Sequence, residues 1–196
     1  MNFFTNLPNA LTLFRIVVIP VVIGFFYLES ELGSWIAAIC FLIACITDYL
    51  DGYFARTLKQ VTNLGSFLDP VADKLLIAST LLMLAGFGRI SGISLIPAVI
   101  ILCREILVSG LREFLAQTAV KMPVSTLAKW KTGLQMFALG FLIVGDPFPQ
   151  WIPLPYLATI ALWGAALLTL ITGHDYLTRG IQHIHAHDQQ VYHDLN

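Results

Sequence analysis

Apolar residues run in stretches of about 20, separated by short polar or Gly/Pro-punctuated joints, a length that suffices to cross a bilayer. The stretches cover residues 11–28, 34–55, 68–88, 93–115, 125–144 and 153–173. At about 1.5 Å of rise per residue, each reaches across the hydrocarbon of a membrane as a helix. A spanning helix satisfies its own backbone hydrogen bonds, which lipid cannot do for it. The pattern therefore predicts an all-α polytopic membrane protein with about six transmembrane helices. Asp146-Pro147-Phe148-Pro149 and Trp151-Ile152-Pro153 break the fifth stretch from the sixth, and residues 86–92 form another turn. Asn6, Pro8 and Asn9 predict a short N-terminal interfacial segment before the first span. No internal repeat or linker interrupts the pattern. Residues 1–178 read as one membrane domain and residues 179–196 as a polar cytoplasmic tail.

Composition supports this reading. Of the 196 residues, 57% are hydrophobic and 12% charged. The mean hydropathy of +0.78 is more than a soluble core of this size requires. The net charge of −1 provides no basic surface for nucleic acid. Cys40, Cys45 and Cys103 all lie in apolar stretches, odd in number and without metal-type spacing, so they read as small buried hydrophobes.

The few charges set the orientation. Arg56 and Lys59 follow the second stretch, Arg112, Lys121, Lys129 and Lys131 join the fourth to the fifth, and Arg179 follows the sixth. The opposite joints hold Arg89 with Glu29, Glu31 and Asp146. The excess of Lys and Arg puts the even-numbered span ends and both termini in the cytoplasm. Arg15 is then expected to snorkel at that face.

Four aspartates stand out. Asp48 and Asp51 are three apart at the end of the second stretch, and Asp69 and Asp73 are four apart at the start of the third. Each pair shares a helix face. A short loop joins the two helices, which are expected to be antiparallel neighbours with converging carboxylates. Gly52 and Ala55 leave space beside the first pair. A charged Asp at a span centre costs about 2.5–3.5 kcal/mol on insertion scales. Like charges a few Å apart repel by about 4 kcal/mol per close pair at an effective dielectric near 20. Protonation relieves this, and so does a divalent cation. All-oxygen ligands suit Mg²⁺ or Mn²⁺. Taken alone, Asp69 before Pro70 reads as a helix N-cap with proline at the first helical position.

The spacing D-x2-D-G-x2-A-R-x8-G-x3-D-x3-D is met by Asp48, Asp51, Gly52, Ala55, Arg56, Gly65, Asp69 and Asp73. It resembles the signature of the CDP-alcohol phosphatidyltransferases. Pro8-Asn9-Ala10-Leu11-Thr12 with Arg15 is similar to that family's N-terminal segment. Arg104-Glu105, Leu111-Arg112-Glu113, and Lys129-Trp130-Lys131-Thr132 with Gln135 resemble its branch that uses a glycerol phosphate acceptor; Ala128 stands where that branch often has glycine.

The resemblance implies a homodimer in the bacterial cytoplasmic membrane, with its active site facing the cytoplasm. Its substrates are CDP-diacylglycerol and sn-glycerol 3-phosphate, and CMP is released. Asp48, Asp51, Asp69 and Asp73 would hold two divalent metals, Mg²⁺ or Mn²⁺, with Asp73 also the general base. Gly52, Ala55 and Gly65 would make room for the nucleotide. Arg56 would meet phosphate or nucleotide, or simply anchor at the lipid headgroups. Arg104, Arg112, Lys129 and Lys131 would form a basic pocket for the acceptor's phosphate; for the two lysines, the excess of positive charge on the inner face is an equal explanation. Glu105 and Arg112 share a helix face and suggest an ion pair. His183, His185, His187 and His193 read as part of a flexible polar tail, with metal binding by the alternating histidines as the other reading. Two other readings remain: a different acceptor alcohol (inositol phosphate, serine or phosphatidylglycerol), or a small ion transporter that uses the buried acids.

Overall fold

The computed structural model describes residues 7–58, 63–117, 126–145 and 153–194. Six long helices follow one another: α1 (Leu7–Phe26), α2 (Glu31–Leu58), α3 (Asn63–Gly86), α4 (Leu95–Gln117), α5 (Thr126–Val144) and α6 (Leu154–Asp194). Among the described residues a 3-10 turn, Gly92–Ser94, precedes α4, and no strand occurs. Among the described residues, four stretches are long and apolar enough to cross a membrane: Asn9–Phe26, Glu31–Leu50, Gly92–Leu115 and Leu154–Ile184. The helices α3 and α5 carry the remaining two apolar stretches, interrupted by Asp69, Asp73 and Lys74 in one and by Lys129 and Lys131 in the other.

Three features refine the expectations. Pro8 and Asn9 are helical and belong to the first turn of α1; Asn6 lies outside the described residues. Proline is tolerated there because a first-turn N–H has no helical partner to lose. The polar tail is helical as far as it is described. The helix α6 continues through residue 179 to Asp194, about 60 Å in all. The third concerns neighbours. The helix α1 packs extensively on both α2 and α3, while among the described residues α2 and α3 show no comparable packing on each other. On the other side α6 packs on α5 and α4, and α2 meets α5.

The joints explain the local stops. At the start of α2, Ser30 accepts from the Gly33 amide at 3.0 Å, an N-cap, and a Cβ on Gly33 would stand 3.0 Å from the Phe25 carbonyl oxygen. Helix α3 ends in a left-handed Gly88, with Ile90 N–H closing back on the Leu84 carbonyl at 3.0 Å. Arg89 then reaches across the end of the bundle. It donates to the Ile143 carbonyl at the end of α5 and, at 2.7 Å, to Ser34 Oγ of α2, and its guanidinium stands 5.5 Å from the centre of the Phe26 ring.

The interior is built from Phe41, Leu76, Leu84, Ile101, Leu139, Ile143 and Leu162, with Ala44, Ala138, Ala158 and Ala165 at the close approaches. Small residues of this kind let helix backbones pack tightly in lipid, where dispersion and shape rather than water drive association. Outward-facing Leu42, Ile46, Val99, Ile106, Ile160 and Leu167 form an aliphatic exterior suited to acyl chains.

Candidate functional site

Asp48 lies in the second half of α2 and its side chain is 41% exposed. Its Oδ1 is 2.8 Å from Nη1 of Arg15, a residue of α1 with no exposed surface. Arg15 therefore does not snorkel as expected; its side chain runs inward. Asp69 accepts a hydrogen bond from the hydroxyl of Thr12, also of α1 and also buried. Asn9, Thr12 and Arg15 follow at intervals of three, so they share the inward face of α1. No role had been assigned to Thr12. The available signal was three polar residues at helical spacing in an otherwise aliphatic helix.

Asp69 is not an N-cap. Helix α3 starts at Asn63, six residues earlier, and Pro70 sits inside it. Helix α1 touches both acidic pairs, through Arg15 at Asp48 and Thr12 at Asp69. Asp48 lies within electrostatic reach of Asp69 and Lys74, and Asp73 within reach of Asp48. Among the described residues, no three acidic, cysteine or histidine side chains close on one ion-sized point. Asp51, Gly52, Ala55 and Arg56 continue the backbone of α2, but the side chains of Asp51, Ala55 and Arg56 lie outside the described residues. Gly65 is buried near the start of α3. The donors present are carboxylate oxygens, open to solvent at Asp48, and such a set fits a hard divalent cation.

A second polar group lies between α4, α5 and α6. Lys131 of α5, 6% exposed, donates to Glu105 Oε1 of α4. Arg104 Nη1 reaches the same oxygen at 3.4 Å, and its Nη2 donates to Thr172 Oγ1 of α6 at 3.0 Å. Gly173 permits this, since a Cβ there would stand 3.0 Å from Arg104 Cγ. Both Glu105 and Lys131 interact electrostatically with Asp73, so this network borders the aspartates.

The four basic residues expected to act together separate into two environments. Arg104 and Lys131 are joined through Glu105. Arg112 is exposed and lies over the Tyr176 ring, 5.6 Å from its centre, rather than on Glu105. Lys129 is exposed as well, because residues two apart on a helix face different ways. Two buried polar groups next to the network had received no role. Gln135, 3% exposed and one turn beyond Lys131, has an Oε1 without a hydrogen-bond partner, and so does the buried Tyr176 hydroxyl. Cys45 Sγ is 3.1 Å from Met136 Sδ and Cys45 interacts with Asp48 and Asp73, which sets the Gln135 level just beneath the acids.

The family model for CDP-alcohol phosphatidyltransferase matches residues 5–171. The chain belongs to that family. Three relatives are named CDP-diacylglycerol–glycerol-3-phosphate 3-phosphatidyltransferase. The protein from Rickettsia bellii is 51% identical over 176 residues, covering 90% of this chain and 96% of its own. That from Haemophilus influenzae is 42% identical over 177 residues, covering 88% and 91%. That from Cereibacter sphaeroides is 32% identical over 219 aligned positions, covering 91% and 97%. The match begins before α1 and ends within α6, so it takes in the aspartates with Thr12 and Arg15, and Arg104, Glu105, Lys131 and Gln135, while Thr172 and Tyr176 lie just beyond it.

Across the bundle, Phe26, Glu31, Ser34, Arg89, Phe141 and Gly145 line a cavity of about 610 Å³. It lies at the end opposite the aspartates and takes no part in the chemistry below.

Proposed function

We propose that this enzyme transfers the phosphatidyl group of CDP-diacylglycerol to sn-glycerol 3-phosphate, giving phosphatidylglycerol phosphate and CMP. The carrying observation is that Asp73 borders two unlike groups. On one side is the carboxylate of Asp48, itself within electrostatic reach of Asp69, and on the other the Arg104–Glu105–Lys131 network. A donor with a pyrophosphate and an acceptor with its own phosphate need such a meeting point. The names of the relatives at up to 51% identity favour the same reaction.

In the reaction, the primary hydroxyl of glycerol 3-phosphate attacks the phosphorus that carries diacylglycerol. The pyrophosphate P–O bond breaks, and CMP leaves with the bonding electrons. Asp73 takes the hydroxyl proton, and its carboxylate also aims that oxygen at the phosphorus. Asp48, Asp51, Asp69 and Asp73 are the residues that would hold two divalent cations, Mg²⁺ or Mn²⁺. Such cations supply neutralising charge to the pyrophosphate and the leaving group.

Arg104 and Lys131 hold the acceptor's phosphate, with Arg112 and Lys129 at the rim of the pocket. Gln135 and Tyr176 offer polar atoms to the acceptor's hydroxyls. Gly52, Ala55 and Gly65 leave room for the nucleotide, and Arg56 meets its phosphates. The acyl chains stay in the bilayer against the aliphatic exterior. We assign the protein to the bacterial cytoplasmic membrane as a homodimer, with the site on the cytoplasmic face, in keeping with the Lys and Arg distribution.

The test is CMP release from CDP-diacylglycerol by the purified protein with Mg²⁺ or Mn²⁺ and a panel of acceptors. Release with glycerol 3-phosphate, and its loss on chelation, is the expected result. Release only with inositol phosphate, serine or phosphatidylglycerol would reassign the acceptor. No release with any acceptor, together with ion flux in proteoliposomes, would turn the reading to transport.

A further inference from the structure

We infer that α1 is a positioning element for the acidic site: Thr12 and Arg15 hold Asp69 and Asp48 at the separation that a shared divalent cation requires. The inference rests on the metal-assisted transfer proposed above.

The packing provides the first support. Helices α2 and α3 carry the acids, and among the described residues α1 packs extensively on both while the two do not pack on each other to a like extent. The spacing of Asp48 from Asp69 is therefore set through α1 and not by direct contact between their own helices. Thr12 and Arg15 are one turn apart on α1, and one grips each side: Thr12 donates to Asp69 Oδ1, and Arg15 Nη1 stands 2.8 Å from Asp48 Oδ1.

Chemistry provides the second. A carboxylate has two oxygens and about four lone-pair sites, so an aspartate held through one oxygen can still offer the other to a cation. Thr12 and Arg15 are 1% and 0% exposed, so neither is placed to meet a bulky substrate. A buried guanidinium needs compensating anions, and here it offsets part of the mutual repulsion of the acids. The acids can thus remain assembled before any cation arrives. Groups that orient metal ligands in this way typically contribute about 10–100-fold to metal affinity.

The experiment uses full-length protein in detergent and reads Mn²⁺ binding directly, from the electron paramagnetic resonance signal of free Mn²⁺. Thr12→Val keeps the shape and removes the donor; Thr12→Ser restores the donor. T12V is expected to weaken Mn²⁺ binding about 10-fold, T12S to bind like wild type, and excess Mn²⁺ to restore kcat in T12V with KM for glycerol 3-phosphate unchanged. Arg15→Lys, which keeps charge but loses the planar fork, gives the same readout if T12V does not fold, and is expected to weaken Mn²⁺ binding too. Undiminished Mn²⁺ binding in T12V and R15K, beside a wild type that binds, overturns this inference alone. A loss that neither serine nor excess Mn²⁺ repairs overturns it as well, since that marks mere helix packing. A wild type that binds no Mn²⁺ overturns the inference together with the metal reading beneath it.

Discussion

Lys131 of α5 and Glu105 of α4 are bonded to each other in the interior, and Arg104 shares the same carboxylate oxygen at 3.4 Å. One anion thus stands between two cations that would otherwise repel. The arrangement ties α4 to α5 and holds two positive groups beside Asp73.

Replacing Glu105 by Gln keeps the shape and removes the charge. Breaking a buried pair from one side costs about 3–5 kcal/mol, because the remaining charge is left uncompensated. E105Q should therefore lower the melting temperature in detergent. The double variant E105Q/K131M, which leaves no orphaned lysine, should recover part of that loss. Equal melting of wild type and E105Q would show the pair to be energetically idle.

The two lysines of α5 should behave differently although they are two residues apart. Lys131 is buried in the network and Lys129 is exposed. A hydrogen bond to a charged group contributes about 1.5–3 kcal/mol, so Lys131→Ala should raise KM for glycerol 3-phosphate roughly tenfold or more. Lys129→Ala should leave it nearly unchanged, and Arg112→Ala should fall between them. Steady-state kinetics with CDP-diacylglycerol saturating separates the three. Equal effects at positions 129 and 131 would argue for plain surface charge.

Asp73→Asn tests the base. Losing a positioned proton acceptor typically lowers rate about 10²–10⁴-fold. The expected outcome is a fall of that size in kcat, with the melting temperature maintained and CDP-diacylglycerol still bound. A variant that keeps most of its turnover would assign the proton to another acceptor.

At the far end, Arg89→Met should affect stability and not chemistry. Arg89 satisfies the Ile143 carbonyl at the end of α5 and ties it to Ser34. An unsatisfied buried acceptor costs about 1–3 kcal/mol, which should appear as a lower melting temperature with KM values unchanged. Gly145→Ala should act similarly, since φ there is +64° and a Cβ would stand 2.9 Å from Arg89 Nη1.

Sequence alone determined the helical bundle, the ends of most helices and the identity of the acidic residues. These follow from local quantities: hydropathy over a span's length, Gly and Pro at the joints, and the three- and four-residue spacing of side chains on one helix. The spacing of Asp69 and Asp73 required only that both lie on α3. What local pattern could not supply was the partner of each polar side chain. Arg15 read as an interfacial cation because an arginine near a span end has two escapes, outward to headgroups or inward to an anion. Only the seat of α1 between α2 and α3 decides for Asp48. Taken alone, Asp69 before Pro70 reads as a cap, yet α3 begins at Asn63 and the side chain turns to Thr12, which is 57 residues away along the chain. The separation of Lys131 from Lys129, and the choice of Glu105 for Lys131 over Arg112, likewise depend on which helix lies opposite. Helix neighbours are set by packing over the whole chain, and that packing decides which charges meet and which are left to solvent.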